Sequence, residues 1–110
     1  MPLPSLIKKA DRVFSKWVRV RDKNICCTCG KVGKHAGHFV RRRHLKVRWH
    51  PYNVASQCVF CNTFLDGNEA EYSRFIINKY GMEIFNWLLD QKGVYKVTRE
   101  EVEKVIQAYS

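Results

Sequence analysis

Acidic side chains are scarce in the first part of this 110-residue sequence. Residues 1–68 hold three of them, Asp11, Asp22 and Asp66, against fourteen lysines and arginines, a balance of +11. Residues 69–110 hold six basic and seven acidic residues, a balance of −1. So lopsided a charge points to a polyanionic partner, nucleic acid first, because Lys and Arg gain from phosphate contact and counterion release. Long apolar runs are also missing. No stretch of about 18 consecutive apolar residues occurs, which excludes a membrane-spanning helix. Met1-Pro2-Leu3-Pro4-Ser5 leads to Lys8 and Lys9 with no apolar signal segment behind them, so a cytoplasmic location is expected. Proline and glycine number only three and six, and no repeat, low-complexity tract or long linker interrupts the chain. One domain over residues 1–110 is the expectation at this length. The five cysteines are an odd set, and in a reducing compartment a disulfide framework is not expected of them.

What the sequence does contain starts with those cysteines. Hydrophobic residues make up 45% of the chain, enough for a core, but a domain this small is marginal on burial alone. A metal staple would help it. Cys26 and Cys29 form one Cys-x-x-Cys pair, and Cys58 and Cys61 form another after 28 intervening residues. Two such knuckles supply the four soft ligands of a closed structural zinc site. Cys27 is the spare, since a Cys-x-Cys arrangement would be cramped. A site closed by four thiolates has no position left for a catalytic water, so any chemistry must lie elsewhere.

Periodicity divides the chain into three parts. Residues 1–23 read as a helix capped by Ser5, with Leu6, Ala10, Val13, Phe14 and Trp17 on one face and basic residues around the rest. The basic side is suited to lie along a phosphate backbone. Residues 24–68 read as the zinc-bound core. In it His38-Phe39-Val40 is a short strand, Arg41-Arg42-Arg43-His44 a basic turn, Lys46-Val47-Arg48-Trp49 the paired strand, and Pro51 to Val54 a loop. The second knuckle then runs into a helix. Residues 69–110 read as three helices. A capping box of Asn68 and Glu71 opens the first and Gly81 closes it; Gly93 ends the second; Thr98 and Glu101 cap the third.

A second constellation lies inside the zinc-bound part: His35 and His38, then Asn53, then Asn62 directly after a zinc ligand. Strand, loop and helix around a metal is the layout of the ββα-metal nuclease motif. The segment Cys26 to Asn62 resembles the HNH pattern, and its zinc-knuckle subtype is similar to recombination endonuclease VII. The wider run Cys26-x-x-Cys29-Gly30, Ala36-Gly37-His38-Phe39, Arg48-Trp49, Asn53, Gln57-Cys58-x-x-Cys61-Asn62 and Gly67-Asn68 resembles the phage NinG (Rap) family, with Tyr72 and Tyr80-Gly81 also similar. The expected fold is α+β, a zinc-stapled ββα-metal (HNH, treble-clef-like) core between an N-terminal helix and C-terminal helices.

The resemblance implies a metal-dependent, structure-specific DNA endonuclease acting on branched recombination intermediates such as Holliday junctions, in phage recombination. It gives His38 the part of general base and Asn53 that of orienting the imidazole or the loop beneath it. Asn62 becomes an oxygen ligand to a divalent ion, Mg2+ or Mn2+. Arg48 and the run Arg41, Arg42 and Arg43 would hold phosphates. One position departs from the pattern. Gly37 precedes His38 where an acidic ligand is usual, and His35 stands where the NinG pattern tends to have Asp. His35, or Asp66 four residues after Asn62, is the candidate replacement ligand, and an imidazole would favour manganese, nickel or zinc over magnesium. Cleavage of a symmetric junction needs two active sites, hence a possible homodimer. Two other readings stay open: a different HNH nuclease, nicking or non-specific, and a non-catalytic zinc module that only binds DNA.

Overall fold

The computed structural model describes residues 1–110. Its first element is α1 (Leu3–Arg21). The helix starts two residues before Ser5, which lies inside the first turn and caps nothing; Pro2 is the N-cap. Pro4 is tolerated there because first-turn N–H groups have no intrahelical acceptor to lose. Leu6, Ala10, Phe14 and Val18 form the buried stripe at four-residue spacing, and Val18 takes the place expected of Val13. The helix ends where Lys23 and Asn24 both turn to positive φ. Asp22, just past the end, pairs with Arg21 at 2.6 Å and accepts the Ser56 N–H at 2.9 Å. Those bonds fix the end of α1 to the sheet.

The sheet has two antiparallel strands, β1 (His35–His38) and β2 (Val54–Gln57), in the register His35 to Gln57 and His38 to Val54. The expected strand pairing is corrected here. The partner of β1 is not Lys46–Trp49, which forms a 3-10 turn at Leu45–Val47. Alternating burial of Val47 and Trp49 imitates a strand, but the backbone there is held by a side chain. Asn53 accepts the Val40 N–H at 2.7 Å and donates to the carbonyls of Val40 and Val47 at 3.0 and 3.1 Å. The true strand β2 is buried at every residue, so it carries no alternation to read.

Gly37 lies opposite Ala55. A Cβ on Gly37 would come within 1.9 Å of Gln57 Oε1. Gln57 is fully buried, and its amide donates to Gly67 O at 2.9 Å and Thr28 Oγ1 at 3.1 Å. Position 37 therefore has no room for a side chain unless Gln57 moves.

After β2 the second knuckle leads into a single π-helical turn, Phe60–Phe64, in place of the α-helix expected to follow it. Positive φ at Asp66, Gly67 and Asn68 then turns the chain into α2 (Glu69–Tyr80). The Asn68–Glu71 capping box does not form. Asn68 is left-handed and gives its side-chain N–H to Cys61 Sγ at 3.7 Å, while Glu71 pairs with Arg74. Gly81, at φ 95° and ψ 165°, separates α2 from α3 (Met82–Asp90). The last helix, α4 (Arg99–Tyr109), has Thr98 as N-cap, its hydroxyl accepting from Glu101 N–H at 3.2 Å.

Two apolar clusters flank the sheet. One packs α1 against α4 through Leu6, Ala10, Phe14, Val18, Val97 and Val102, with Trp49 and Val54. Edge-on rings of Phe14 and Trp17, each 4.8 Å from Tyr109, close that contact. The other joins Phe39, Val40, Val47 and Ala55 to Tyr72, Ile76 and Leu88 of α2 and α3. The buried Tyr72 hydroxyl donates to Gly37 O at 2.7 Å, tying α2 to β1. The short sheet is thus clamped from both sides, and β1 is carried by rigid neighbours.

Candidate functional site

Four cysteine sulfurs converge where the two knuckles meet. Those of Cys26, Cys29, Cys58 and Cys61 all lie within 4.8 Å of one another, with Cys29 and Cys58 3.6 Å apart. A tetrahedral ion with Zn–S bonds of about 2.3 Å has its sulfurs roughly 3.8 Å apart, so the four residues fit one zinc ion. The local chain explains the convergence. Cys26 N–H donates to Lys31 O at 2.7 Å and Gly30 N–H to Cys26 O at 2.9 Å, with Gly30 at φ 78°, which folds the first knuckle back on itself. In the second, Cys61 N–H donates to Cys58 Sγ at 3.4 Å.

The first-knuckle thiols of the cluster are pulled in opposite directions. Burial opposes ionisation of Cys26, yet the Thr28 hydroxyl and the N–H groups of Cys58 and Thr28 outweigh it and bring the thiol down to about 6. The Lys31 N–H favours the Cys29 thiolate, but the facing sulfurs of Cys26, Cys58 and Cys61 hold that thiol up at about 12. Four thiolates at this spacing repel one another unless a metal lies between them. Cys27 is outside the cluster. Its side chain packs on the second apolar cluster, and burial, then the neighbouring Cys26 charge, push its thiol well up.

The second feature is a cleft of about 680 Å³ between α1 and the sheet. Arg12, Lys16 and Arg19 of α1, with Lys34 and Arg42, bring five cations to its lining against one carboxylate, Asp11. His35, His38 and Asn62 line the same cleft. The His38 Nε2 lies 2.9 Å from the carbonyl of Arg48. A carbonyl only accepts, so Nε2 carries the proton and Nδ1 keeps the lone pair. Burial lowers the His38 pKa to about 4; the Arg48 carbonyl opposes this, and the charges of Arg48 and Arg42 reinforce it. The ring is therefore neutral at pH 7.

Asn62 Nδ2 sits 3.3 Å from His35 Nδ1, bringing the end of the second knuckle to the start of β1. Asn53 is completely buried and binds backbone on either side of the basic turn; it fixes the loop after His38 and does not hold the ring. Asp66 makes no hydrogen bond to Asn62. The π-helical turn ends before it, and both its carboxylate oxygens bind Arg41, at 2.7 and 2.8 Å. Of the basic run, Arg42 reaches the cleft, Arg41 holds Asp66, and Arg43 lines an adjoining hollow with His44 and Lys92. Arg48 faces inward, its guanidinium on Asp11 at 2.6 and 2.9 Å.

Sequence reasoning does not single out Asp11 or Lys34, and it reads the cations of the first helix as a basic side suited to phosphate without placing them beside His38. The spacing of Arg12, Lys16 and Arg19, four and then three residues, already places those three on one helical face. Asp11 carries no such signal, because its partner Arg48 is 37 residues away.

The family described as "Bacteriophage Lambda NinG protein" matches residues 1–110. "Protein ninG" of Escherichia phage 933W is 28% identical over 108 residues, covering 94% of this chain and 54% of that protein. The proteins of the same name from Escherichia phage lambda and Salmonella phage P22 are 27% and 26% identical over 108 residues, each with 53% of its length covered. The chain thus spans about half the length of the curated relatives it matches. No solved structure matches it. With its whole length matched by the family profile, the chain belongs to the bacteriophage NinG family.

Proposed function

We propose that this chain is the catalytic core of a metal-dependent, structure-specific DNA endonuclease of the HNH type. Its substrates are branched recombination intermediates such as Holliday junctions, cut in the cytoplasm of the host cell. The observation that carries the reading is His38: a neutral imidazole, its Nε2 anchored on Arg48 O, lining a cleft rich in cations. The anchored ring presents Nδ1 as the only basic atom, and that atom takes the proton from a water attacking phosphorus. Asn53 keeps the loop after His38 in place, so the ring and its carbonyl partner stay in register.

His35 and Asn62 are the residues that would hold a catalytic Mg2+ or Mn2+. Adjacent ligands of an octahedral ion with bonds of about 2.1 Å lie roughly 3 Å apart. The 3.3 Å between His35 Nδ1 and the Asn62 amide is close to that edge, and a half-turn of the amide offers its oxygen. Such an ion supplies Lewis-acid stabilisation of charge on the phosphate and the leaving oxygen. The zinc held by Cys26, Cys29, Cys58 and Cys61 is structural and takes no part. Arg42, with Arg12, Lys16, Arg19 and Lys34, binds the phosphate backbone; Arg41 and Arg43 extend the track. Two copies acting together would cut a symmetric junction on both sides.

The deciding experiment is cleavage of four-way-junction, flap and linear duplex DNA by wild type and His38→Ala, with magnesium or manganese. Junction cleavage by wild type, lost in His38→Ala with zinc content and DNA binding retained, is the expected result. Equal cleavage by both would remove His38 as base. One observation favours a second reading, a zinc module that binds DNA without cutting it: the single carboxylate in the cleft, Asp11, already accepts three hydrogen bonds. DNA binding with no cleavage under any divalent ion would establish that alternative.

A further inference from the structure

The His38 ring is oriented by a backbone carbonyl, and a carbonyl in a short turn is only as well placed as the turn. The turn in question, Leu45–Val47 and the residue after it, has no strand ladder to hold it. Its outer side is held by a side chain from α1. Asp11 Oδ2 accepts from Arg48 Nη2 at 2.6 Å, and Oδ1 accepts from both Arg48 Nε and Trp49 Nε1 at 2.9 Å. The ion pair is largely shielded, its side chains 15% and 24% exposed. The Arg48 guanidinium also lies over the Trp49 ring, 5.5 Å from its centroid. A two-pronged, charge-assisted pair of this kind fixes orientation as well as distance. Trp49 is in turn buried in the cluster that seats α1. A continuous chain of contacts therefore runs from Asp11 through Arg48 to His38 Nε2.

We infer that Asp11 is a positioning residue for the base: by clamping Arg48 and Trp49 it holds the Arg48 carbonyl on His38 Nε2 and so fixes the tautomer that leaves Nδ1 basic. This rests on the nuclease reading for its consequence in catalysis, but the link from Asp11 to the ring stands apart from it. Arg48 and Trp49 take three of the roughly four lone-pair sites of the Asp11 carboxylate, so its first partners are side chains of this chain.

The test uses Asp11→Ala and Asp11→Asn in the whole chain, zinc-loaded, with zinc content and thermal unfolding measured first. Asp11→Asn keeps an oxygen for Trp49 and loses the charge, so it serves if Asp11→Ala fails to fold. Two-bond nitrogen–proton correlation spectra of the imidazoles, with His38 assigned by comparison with His38→Gln, read the tautomer directly. Wild type should show a single Nε2–H tautomer at His38, and the Asp11 variants a mixture. On four-way-junction DNA, kcat should fall tenfold or more with KM nearly unchanged. Adding Arg48→Ala to Asp11→Ala should cost little more than either change alone, as expected of two members of one chain. An unchanged His38 tautomer overturns the inference, whatever happens to cleavage. A tenfold rise in the metal concentration needed for half-maximal rate, with the tautomer unchanged, would make Asp11 a ligand instead. If wild type cleaves nothing, the nuclease reading falls, and the tautomer spectra still decide whether Asp11 sets the ring.

Discussion

At the scale of single residues, burial decides what His38 can do. A free imidazole titrates near 6.5, whereas this one is lowered to about 4. Between those values the unfolded chain binds more protons than the folded one. His38 therefore adds nothing unfavourable above pH 6.5, costs stability progressively as the pH falls from 6.5 toward 4, and costs a constant amount below that. His38→Gln, whose amide can still donate to the Arg48 carbonyl, should lose this dependence. Thermal unfolding of the two proteins should run parallel above pH 6.5 and separate below it, wild type falling faster; parallel curves down to pH 4 would count against a buried neutral ring. Gly37 gives a second test at this scale. Gly37→Asp places a carboxylate where the HNH pattern that the sequence resembles has one, but its Cβ would meet Gln57 at 1.9 Å, and Gln57 is pinned by Thr28 and Gly67. Overpacking of that kind typically costs about 1–3 kcal/mol. The variant should melt lower than wild type and gain no magnesium-dependent activity, as melting curves and junction cleavage will report. The four cysteines are legible in the sequence because residue type and spacing single them out, whereas His38 and Asn62 stand out only through the resemblance to the HNH pattern. Asp11 is not legible, since one acid on a basic helix looks like any solvated residue.

At the scale of elements, the knuckles substitute for a larger core. Only 22 of 110 residues are buried, and the two apolar clusters meet across a sheet of two short strands. The link between residues 26–31 and 58–61 holds one end of both strands. Structural zinc contributes folding free energy directly, about 10–16 kcal/mol in small zinc-dependent peptides at pH 7. Cys58→Ser should lose bound zinc and most of the folded state, and a strong chelator should do the same to wild type. Circular dichroism alongside metal analysis checks both; a zinc-free protein with an intact fold would show that the cluster is only a set of free thiols. Helices were easier to read than strands for a related reason. The stripe of α1 and the Thr98 cap of α4 are local patterns, visible within a few residues. The second strand has no alternation because both of its faces are covered, and Asn53 replaces a ladder bond with side-chain bonds that no sequence period reports.

At the scale of the whole molecule, charge is divided along with structure. The +11 of residues 1–68 is gathered by the fold, since α1 crosses behind the sheet and adds Arg12, Lys16 and Arg19 to Lys34 and Arg42 around one cleft. The helices after residue 68, near neutrality, leave that face undiluted. If the five cleft cations all neutralise phosphates on duplex DNA, log affinity should fall linearly with log salt at a slope of about −4 to −5, by counterion release of roughly 0.9 per contact. Each cation contributes separately to that slope, which distinguishes a phosphate track from a merely soluble surface. Arg12→Ala, Lys16→Ala and Lys34→Ala should each lower affinity to a similar degree for any DNA sequence and reduce the slope by about one. Lys104→Ala is the control, because it lies on α4 paired with Glu100 at 3.4 Å and lines no part of the cleft. Arg48→Ala should leave the slope almost unchanged, since its guanidinium is committed to Asp11 and releases no counterion on binding. Titrations by fluorescence anisotropy across a range of salt concentrations measure all five. A flat salt response in wild type, or a slope changed equally by Lys104→Ala and Lys16→Ala, would show that DNA does not lie in this cleft.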